Sequence, residues 1–294
     1  MKVAFIGLGI MGRPMAKNLL KAGYDLNVFD LNKSAVEELA ACGAKGCGTT
    51  EETVKDCEII ITMLPNSPHV KSVVLGDGGV AQYAKRGSLL VDMSSIAPGA
   101  SKEIQKSIAE KGIRMLDAPV SGGEPKAVDG TLAIMVGGEQ ADFEEAKPLF
   151  DVLGASTILV GPIGSGNTCK LTNQVIVALN IAAVSEGFLL AKRAGADVEK
   201  VFEAIRGGLA GSTVMNAKVP MMMDRNFEPG FKIDLHIKDL NNALETGAGT
   251  GTPLPLTAEV MQMLQTLRAD GCGQEDHSAI AKWYEKISDT KITR

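Results

Sequence analysis

Seven short apolar or β-branched runs, at 3–6, 26–29, 59–62, 89–92, 114–117, 133–136 and 157–160, recur over the first 162 residues at intervals long enough to hold a helix. Strands separated in this way predict βαβ units. The first four runs are almost continuously apolar, as strands are when helices cover both faces of a parallel sheet, so the expected architecture is a doubly wound α/β sheet. After Gly161-Pro162 the pattern changes. Gly164-Ser165-Gly166-Asn167 reads as a turn rich in helix-capping residues, and from about 168 to 193 only Gly187 interrupts, which predicts one long helix. Its middle, 175–184, is apolar on nearly every face, as in a helix buried between partners. The rest, through 201–205, 235–244 and 257–267, reads as helices joined by Gly/Pro loops. A chain of 294 residues has room for two cores. They are placed at 1–162, an α/β domain, and 163–294, an all-α domain opening with a long interdomain helix. The polar end beyond Ile287 is expected to be a loose terminus.

Composition narrows the partners. With 45% hydrophobic and 22% charged residues the chain is of ordinary globular type. A formal charge of -5 and only 4% aromatic residues provide neither a basic field nor a stacking surface, so nucleic acid is not an expected partner. The five cysteines are odd in number and lack any Cys-x-x-Cys spacing. That excludes a disulfide framework or zinc ribbon and fits reduced thiols in the cytoplasm. Lys2 precedes the apolar run 3–6, but Gly7, Gly9 and Gly12 break it before it resembles a signal peptide. The longest apolar run, 175–184, contains Asn180 and falls short of the ~20 residues of a spanning helix, so no membrane segment is expected.

Gly7-Leu8-Gly9-Ile10-Met11-Gly12 follows the first strand and opens a helix. Missing side chains there permit a tight turn and let the backbone approach a pyrophosphate at the helix N-terminus. The motif gains weight from Asp30, at the end of the second strand, because a carboxylate there accepts hydrogen bonds from a ribose 2′-hydroxyl. The same group repels a 2′-phosphate, and no Arg stands at Leu31 or Asn32, so NADH is expected over NADPH. Lys33 is a nearby cation whose ordinary role is a solvated charge. Ligands of open sheets lie beyond the carboxyl ends of strands. Leu64 and Pro65, after the third run, therefore offer apolar contact and Ser95, after the fourth, a hydroxyl, although plain connectors look much the same. After the fifth run, Ser121, Gly122 and Gly123 could form an anion nest for a carboxylate, with an ordinary turn as the equal alternative.

Lys170 lies at the beginning of the long helix, with Asn173 and Gln174 one turn on. In the first turn and desolvated in a cleft, an ammonium is destabilised and its pKa moves down, which suits a general acid. A solvated lysine on a helix end is the bland alternative. By spacing alone, Lys238-Asp239 reads as an ion-paired helix face. Tyr24, Tyr83 and Tyr284 have no Lys four residues on, and the histidines, His69, His236 and His277, lack the helical spacing of zinc ligands. No Gly-x-Ser-x-Gly elbow or Walker loop occurs, so neither a metal site nor a serine nucleophile is expected. Met221-Met222-Met223 reads as packing.

Taken together, the glycine motif at 7–12, the segment 117–123, the segment 166–174 and Lys238-Asp239 resemble the motifs of the β-hydroxyacid dehydrogenase family over nearly the whole chain. Residues 63–70, 124–127 and 206–213 are most similar to the branch acting on tartronate semialdehyde. The resemblance implies a Rossmann-type domain followed by a helical one, and NAD(H)-dependent interconversion of a short semialdehyde acid with its hydroxy acid. It further implies Lys170 as the general acid/base and Ser121, Gly122 and Gly123 as holders of the substrate carboxylate. Asn173, with Gln174 beside it, would orient the substrate, and Lys238 would reach the cofactor. Many relatives carry two consecutive Asn where this chain has Asn173-Gln174, which bears on substrate identity more than reaction type. A homodimer or homotetramer built through the helical domain is also implied. Action on 3-hydroxyisobutyrate or another short semialdehyde, and a non-catalytic dinucleotide sensor, stay open as alternatives.

Overall fold

The computed structural model describes residues 1–294. Its strands are β1 (Lys2–Ile6), β2 (Asp25–Phe29), β3 (Lys45–Gly46), β4 (Ile59–Thr62), β5 (Leu89–Asp92), β6 (Arg114–Asp117), β7 (Val120–Ser121), β8 (Leu132–Gly137) and β9 (Gly154–Gly161). They form one sheet in the order β3-β2-β1-β4-β5-β6-β8-β7, with β9 on β8. Pairing is parallel from β3 through β6; β8 runs antiparallel to β6 and β7, and β9 is again parallel to β8. The expected parallel sheet thus carries two strands, β8 and β9, that run antiparallel to the rest on its far side. The two-residue strands β3 and β7 have too few residues to show a sequence period.

Eight helices connect these strands: α1 (Gly12–Lys21), α2 (Lys33–Ala41), α3 (Thr50–Val54), α4 (Ser67–Leu75), α5 (Val80–Tyr83), α6 (Pro98–Ala109), α7 (Gly123–Asp129) and α8 (Gln140–Leu153). Successive strand residues point to opposite faces, and both faces are buried. Val3, Phe5, Ile59, Ile61, Leu89 and Val91 pack with Met15 and Leu19 of α1, Leu39 of α2 and Phe143 of α8. Ala4, Ile6, Ile60 and Leu90 pack with Val54 of α3, Val70 and Val74 of α4 and Ile104 and Ile108 of α6. At about 1.5–3 kcal/mol for each fully buried Val, Leu, Ile, Met or Phe side chain, these two layers hold the sheet. Continuous apolarity in the sequence is the direct consequence.

The chain then enters α9 (Ser165–Arg193), followed by α10 (Val198–Ile205), α11 (Thr213–Met223), α12 (Ile233–Thr250), α13 (Pro255–Ala269), a 3-10 turn (His277–Ile280) and α14 (Ala281–Ser288). Packing divides the molecule into Met1–Lys170 and Leu171–Arg294, inside α9. The boundary drawn at 162 from the sequence instead follows the last strand. By length and composition α9 is apolar enough to cross a membrane. Its Ala178, Ile181, Val184, Phe188 and Leu189 lie in the core of the helical unit with Phe202, Val219, Ile237 and Leu264. Met222 and Met223 are buried in the same core. The C-terminal tail is not loose: Ile292 is fully buried, its N–H donates to Glu285 Oε1 at 2.8 Å, and Arg294 pairs with Asp224. A single apolar residue, invisible to a composition argument, anchors it.

At the carboxyl ends of the central strands, Thr62, Asp92 and Asp117 stand in register on β4, β5 and β6. Asp92 is fully buried; its Oδ1 accepts from Thr62 Oγ1 at 2.8 Å and Ser94 N–H at 3.2 Å, while Oδ2 has no partner. Burial pushes its carboxyl up to about 6, against the pull of the Ser94 and Thr62 hydrogen bonds. A carboxyl whose folded-state pKa is raised stabilises the fold below the unfolded value of 3.8 and loses that contribution as pH rises through 6. Asp92→Asn removes this titration. The stability difference between the variant and the parent, from urea unfolding, should move in the variant's favour by about 2 kcal/mol between pH 4.5 and 7.5. A pH-independent difference would show that Asp92 is not held in this state.

Candidate active site

The glycine loop is built by backbone crowding. Gly7 has φ +101°, and a Cβ there would stand 2.3 Å from the Met63 carbonyl oxygen; one on Gly12 would meet the Gly7 carbonyl oxygen. Gly9 differs, because a Cβ on it would meet nothing within 4 Å. Gly7 and Gly12 therefore close the turn, whereas Gly9 leaves exposed backbone beside open space. Ile10 is exposed, Met11 is half-buried, and α1 begins at Gly12 with no side-chain cap. Uncapped N–H groups at a helix start suit an anion, so this end of the sheet fits the pyrophosphate of a dinucleotide.

Asp30, directly after β2, reaches into the same loop. Its Oδ2 accepts the Leu8 N–H at 2.6 Å and its Oδ1 the Asn32 N–H at 2.7 Å. The residue is half-buried, and a carboxylate has about four acceptor sites, so capacity for hydroxyl donors remains. Leu64 carries its Cδ2 against Gly7, and its N–H donates to Ser94 Oγ at 2.8 Å. Pro65 beside it is exposed and Ser95 half-buried. The loops after β1, β2, β4 and β5 thus gather the sequence-predicted residues Gly7, Gly9, Gly12, Asp30, Leu64 and Ser95 at one end of the sheet. Ser94, which ties two of these loops together, was not singled out; its signal was only its place two residues beyond a strand-end Asp.

Ser121 ends β7, and Gly122 and Gly123 follow with φ +140° and +71°. Gly122 caps α7 without a side chain, so the first N–H groups of that helix have no side-chain partner. α7 is docked on α1: Asn18 Nδ2 donates to the carbonyls of Ala127 at 2.9 Å and Val128 at 3.2 Å.

Lys170 is buried, 6% exposed. Its place is set by Asp117 at the end of β6. The Asp117 carboxylate accepts the Gly164 N–H at 2.6 Å and the Asn167 N–H at 2.7 Å. Asn167, fully buried, also donates from Nδ2 to Ser101 Oγ at 3.1 Å and accepts the Ile96 N–H at 3.0 Å. A Cβ on Gly166 would lie 2.4 Å from the carbonyl oxygens of Asp117 and Met135. The segment taken for a turn is therefore helical from Ser165, and Lys170 falls in the second turn, not the first. The helix dipole fades beyond the first turn, so the expected dipole contribution is withdrawn. Burial pushes the Asp117 carboxyl up to about 7, opposed by the Asn167 and Gly164 N–H groups and reinforced by Asp92.

In the helical unit, Asn173 and Gln174 lie on α9 and Lys238 on α12. Asn173 Nδ2 donates to Gln174 Oε1 at 2.8 Å, and Gln174 Nε2 donates to Asp239 Oδ2 at 2.6 Å. The Lys238 ammonium lies 2.8 Å from Asp239 Oδ1, in ion-pair range but outside hydrogen-bonding geometry. Asp239 is 1% exposed. What the spacing presented as a surface ion pair is thus part of a buried chain of side chains. Asp239's bond to Gln174 spans 65 residues, which local spacing cannot reveal.

Residues 2–161 match the family model for the NAD binding domain of 6-phosphogluconate dehydrogenase. Residues 164–284 match that for the NAD-binding region of NADP-dependent 3-hydroxyisobutyrate dehydrogenase. The chain is 46% identical to a 2-hydroxy-3-oxopropionate reductase of Escherichia coli over 99% of its own length and all of that relative's. It is 40% identical to a 2-(hydroxymethyl)glutarate dehydrogenase of Eubacterium barkeri, over 99% of this chain and 97% of the relative. Among solved structures, a 3-hydroxyisobutyrate dehydrogenase of Mycobacterium tuberculosis with L-serine aligns with a TM-score of 0.91 at 31% identity, covering 96% of this chain and 98% of the other. With an NAD(P)-type glycine loop, a buried lysine and this agreement over both units, the chain belongs to the β-hydroxyacid dehydrogenase family, oxidoreductases acting on a CH–OH group.

Proposed function

We propose that this protein is an NADH-dependent reductase interconverting tartronate semialdehyde and D-glycerate, with Lys170 as its general acid/base. The observation that carries the chemistry is the buried ammonium of Lys170, at the end of the helix start that Asp117 clamps. The substrate rests on the 46% identity to the Escherichia coli 2-hydroxy-3-oxopropionate reductase. NADH over NADPH rests on the Asp30 carboxylate, which already braces the glycine loop through Leu8 and would face a 2′-phosphate with like charge.

When bound, the dinucleotide supplies the hydride that reduces the aldehyde carbon. The chain supplies position and a proton. Ser121 and the Gly122 and Gly123 N–H groups take the carboxylate of the substrate, which fixes its orientation. Asn173 and Gln174 take its hydroxyl and carbonyl side, their carboxamides being held in a single arrangement by Asp239. As the carbonyl π bond opens and negative charge collects on oxygen, the Lys170 ammonium gives up a proton to it, completing the hydroxyl of D-glycerate; solvent then restores the ammonium. In the reverse direction the neutral amine takes the hydroxyl proton.

A second reading, oxidation of 3-hydroxyisobutyrate, has specific support in the family model matched by the helical unit and in the Mycobacterium tuberculosis structure. Turnover of tartronate semialdehyde, 3-hydroxyisobutyrate, L-serine and 2-(hydroxymethyl)glutarate with each coenzyme separates the two. The highest kcat/KM is expected for tartronate semialdehyde with NADH. A higher value for 3-hydroxyisobutyrate would transfer the assignment to the second reading. Lys170→Ala should lose about 10²–10⁴ in kcat while NADH binding, read by fluorescence, stays intact. Near-parental turnover would remove Lys170 from the chemistry. We also propose self-association through the helical unit, because Ile176, Ala183 and Leu190, two turns apart on α9, form an exposed apolar stripe. Sedimentation should show a dimer or tetramer that Ile176→Lys weakens; a monomeric parent protein would contradict it.

A further inference from the structure

Two of the chain's three histidines meet inside the helical unit. His236 of α12 is 1% exposed and His277, at the start of the 3-10 turn, 6%. Their Nδ1 atoms are 2.9 Å apart, and His236 Nε2 lies 3.1 Å from the main-chain carbonyl oxygen of Gln174. Phe231 packs against both rings, with centroids at 5.7 Å and 5.4 Å.

Hydrogen-bond bookkeeping fixes the tautomers. A carbonyl oxygen only accepts, so His236 Nε2 carries a proton. In a neutral ring its Nδ1 is then bare and accepts, so His277 Nδ1 is the donor. The result is a directed chain, His277 Nδ1–H to His236 Nδ1 and His236 Nε2–H to the Gln174 carbonyl. Its base is rigid. The Asp276 carboxylate accepts from Lys218 Nζ at 2.9 and 3.0 Å and from the N–H groups of Gly230, Phe231 and Ser278, and the His277 N–H donates to the Phe231 carbonyl at 2.9 Å. The chain ends on Gln174, whose carboxamide is held by Asp239, one turn beyond His236 on the same helix. Gln174 is thus fastened to α12 twice, by its main chain and by its side chain.

We infer that His277 and His236 are positioning residues for the reaction, a two-ring relay that sets the placement of Gln174 on α9 relative to Asp239 and Lys238 on α12. The inference rests on the reading that Gln174 and Lys238 serve substrate and cofactor. It gives the relay a pH limit. Protonating His236 turns its accepting Nδ1 into a second donor, and two N–H groups then face each other across 2.9 Å, whereas a proton added to His277 goes to its Nε2 and leaves the bond in place. Burial, with the repulsion of a protonated His236 and of Lys218 on α11, holds His277 well below its ordinary value, against the opposing pull of Asp276. The relay opens only when acid adds that proton to His236.

The chain has only three histidines, which makes ring-selective ¹⁵N NMR assignable. At pH 7.5 His277 should appear as the Nδ1–H tautomer and His236 as the Nε2–H tautomer; any other pair overturns the assignment irrespective of activity. Kinetics on whichever substrate the panel favours then test the role, so that an error in substrate identity does not touch the result. His277→Leu should raise KM about tenfold, with NADH affinity within about twofold of the parent. His277→Asn, which keeps an N–H donor at the δ position, should restore KM. Equal behaviour of the Leu and Asn variants would reduce the pair to packing. Gln174→Ala serves as the control: parental KM in that variant alongside a raised KM in His277→Leu would overturn the reading of Gln174 and, with it, the route of the relay.

Discussion

The carboxylate of Asp117 is the joint on which the nucleotide-binding unit and its buried lysine depend. Its two oxygens take the N–H groups of Gly164 and Asn167, so the donors of the helix start are satisfied by a residue from β6. Capping a helix from a distant strand fixes both its beginning and its direction, which a local Ser or Asn cap does not. Asn167 then spends its side chain on Ser101 and Ile96, tying the same helix start to α6 and its preceding loop. With both ties in place, Lys170, one turn on, has little freedom in where its stem leaves the helix.

The same device recurs along the sheet. Asp30 beyond β2 takes the Leu8 N–H, and Asp92 at the end of β5 takes the Ser94 N–H while Ser94 in turn takes that of Leu64. At each of these strand ends an acidic residue collects an amide from a loop and orders it. Charge-assisted bonds of this kind are stronger than neutral ones, and loops at the carboxyl ends of parallel strands are where ligands bind. The cost is visible in the buried members. Burial raises Asp92 to about 6 and Asp117 to about 7, and the two stand side by side in register. Stability is given up near neutral pH to hold these loops in place.

Much of this was readable from the sequence, for identifiable reasons. The strands β1, β4, β5 and β6 are apolar because both faces are buried, so composition and position coincide. The glycine loop is local, and its crowding involves neighbours that the motif itself implies. Lys170 could be singled out because the residues around it are few and distinctive. What was missed came from distance in sequence. Ser165-Gly166-Asn167 resembles a turn as long as its partner Asp117 is out of view; with Asp117 present, Gly166 is needed for close approach and Asn167 for anchoring. His236 and His277 are scattered by spacing and become a pair only when α12 meets the turn after α13. Asp239 passed for a surface charge because its partner lies on α9.

At the strand ends and where α9 meets α12, the two units bury polar groups in different ways. In the sheet unit carboxylates are buried against main-chain N–H groups, leaving Asp92 Oδ2 with no partner. Where α9 meets α12 in the helical unit, side chains are buried against one another, Asn173 to Gln174 to Asp239 beside Lys238, and the Gln174 carboxamide uses both ends. A main-chain donor is fixed by the fold and tolerates changes of side chain, whereas a run of paired side chains is only as ordered as its weakest member. The first arrangement suits parts that bind an invariant cofactor. The second depends on a few side chains. Replacing Gln174 with a shorter amide would take from Asp239 Oδ2 its hydrogen-bond donor, so the length of that one residue couples α9 to the charges placed on α12.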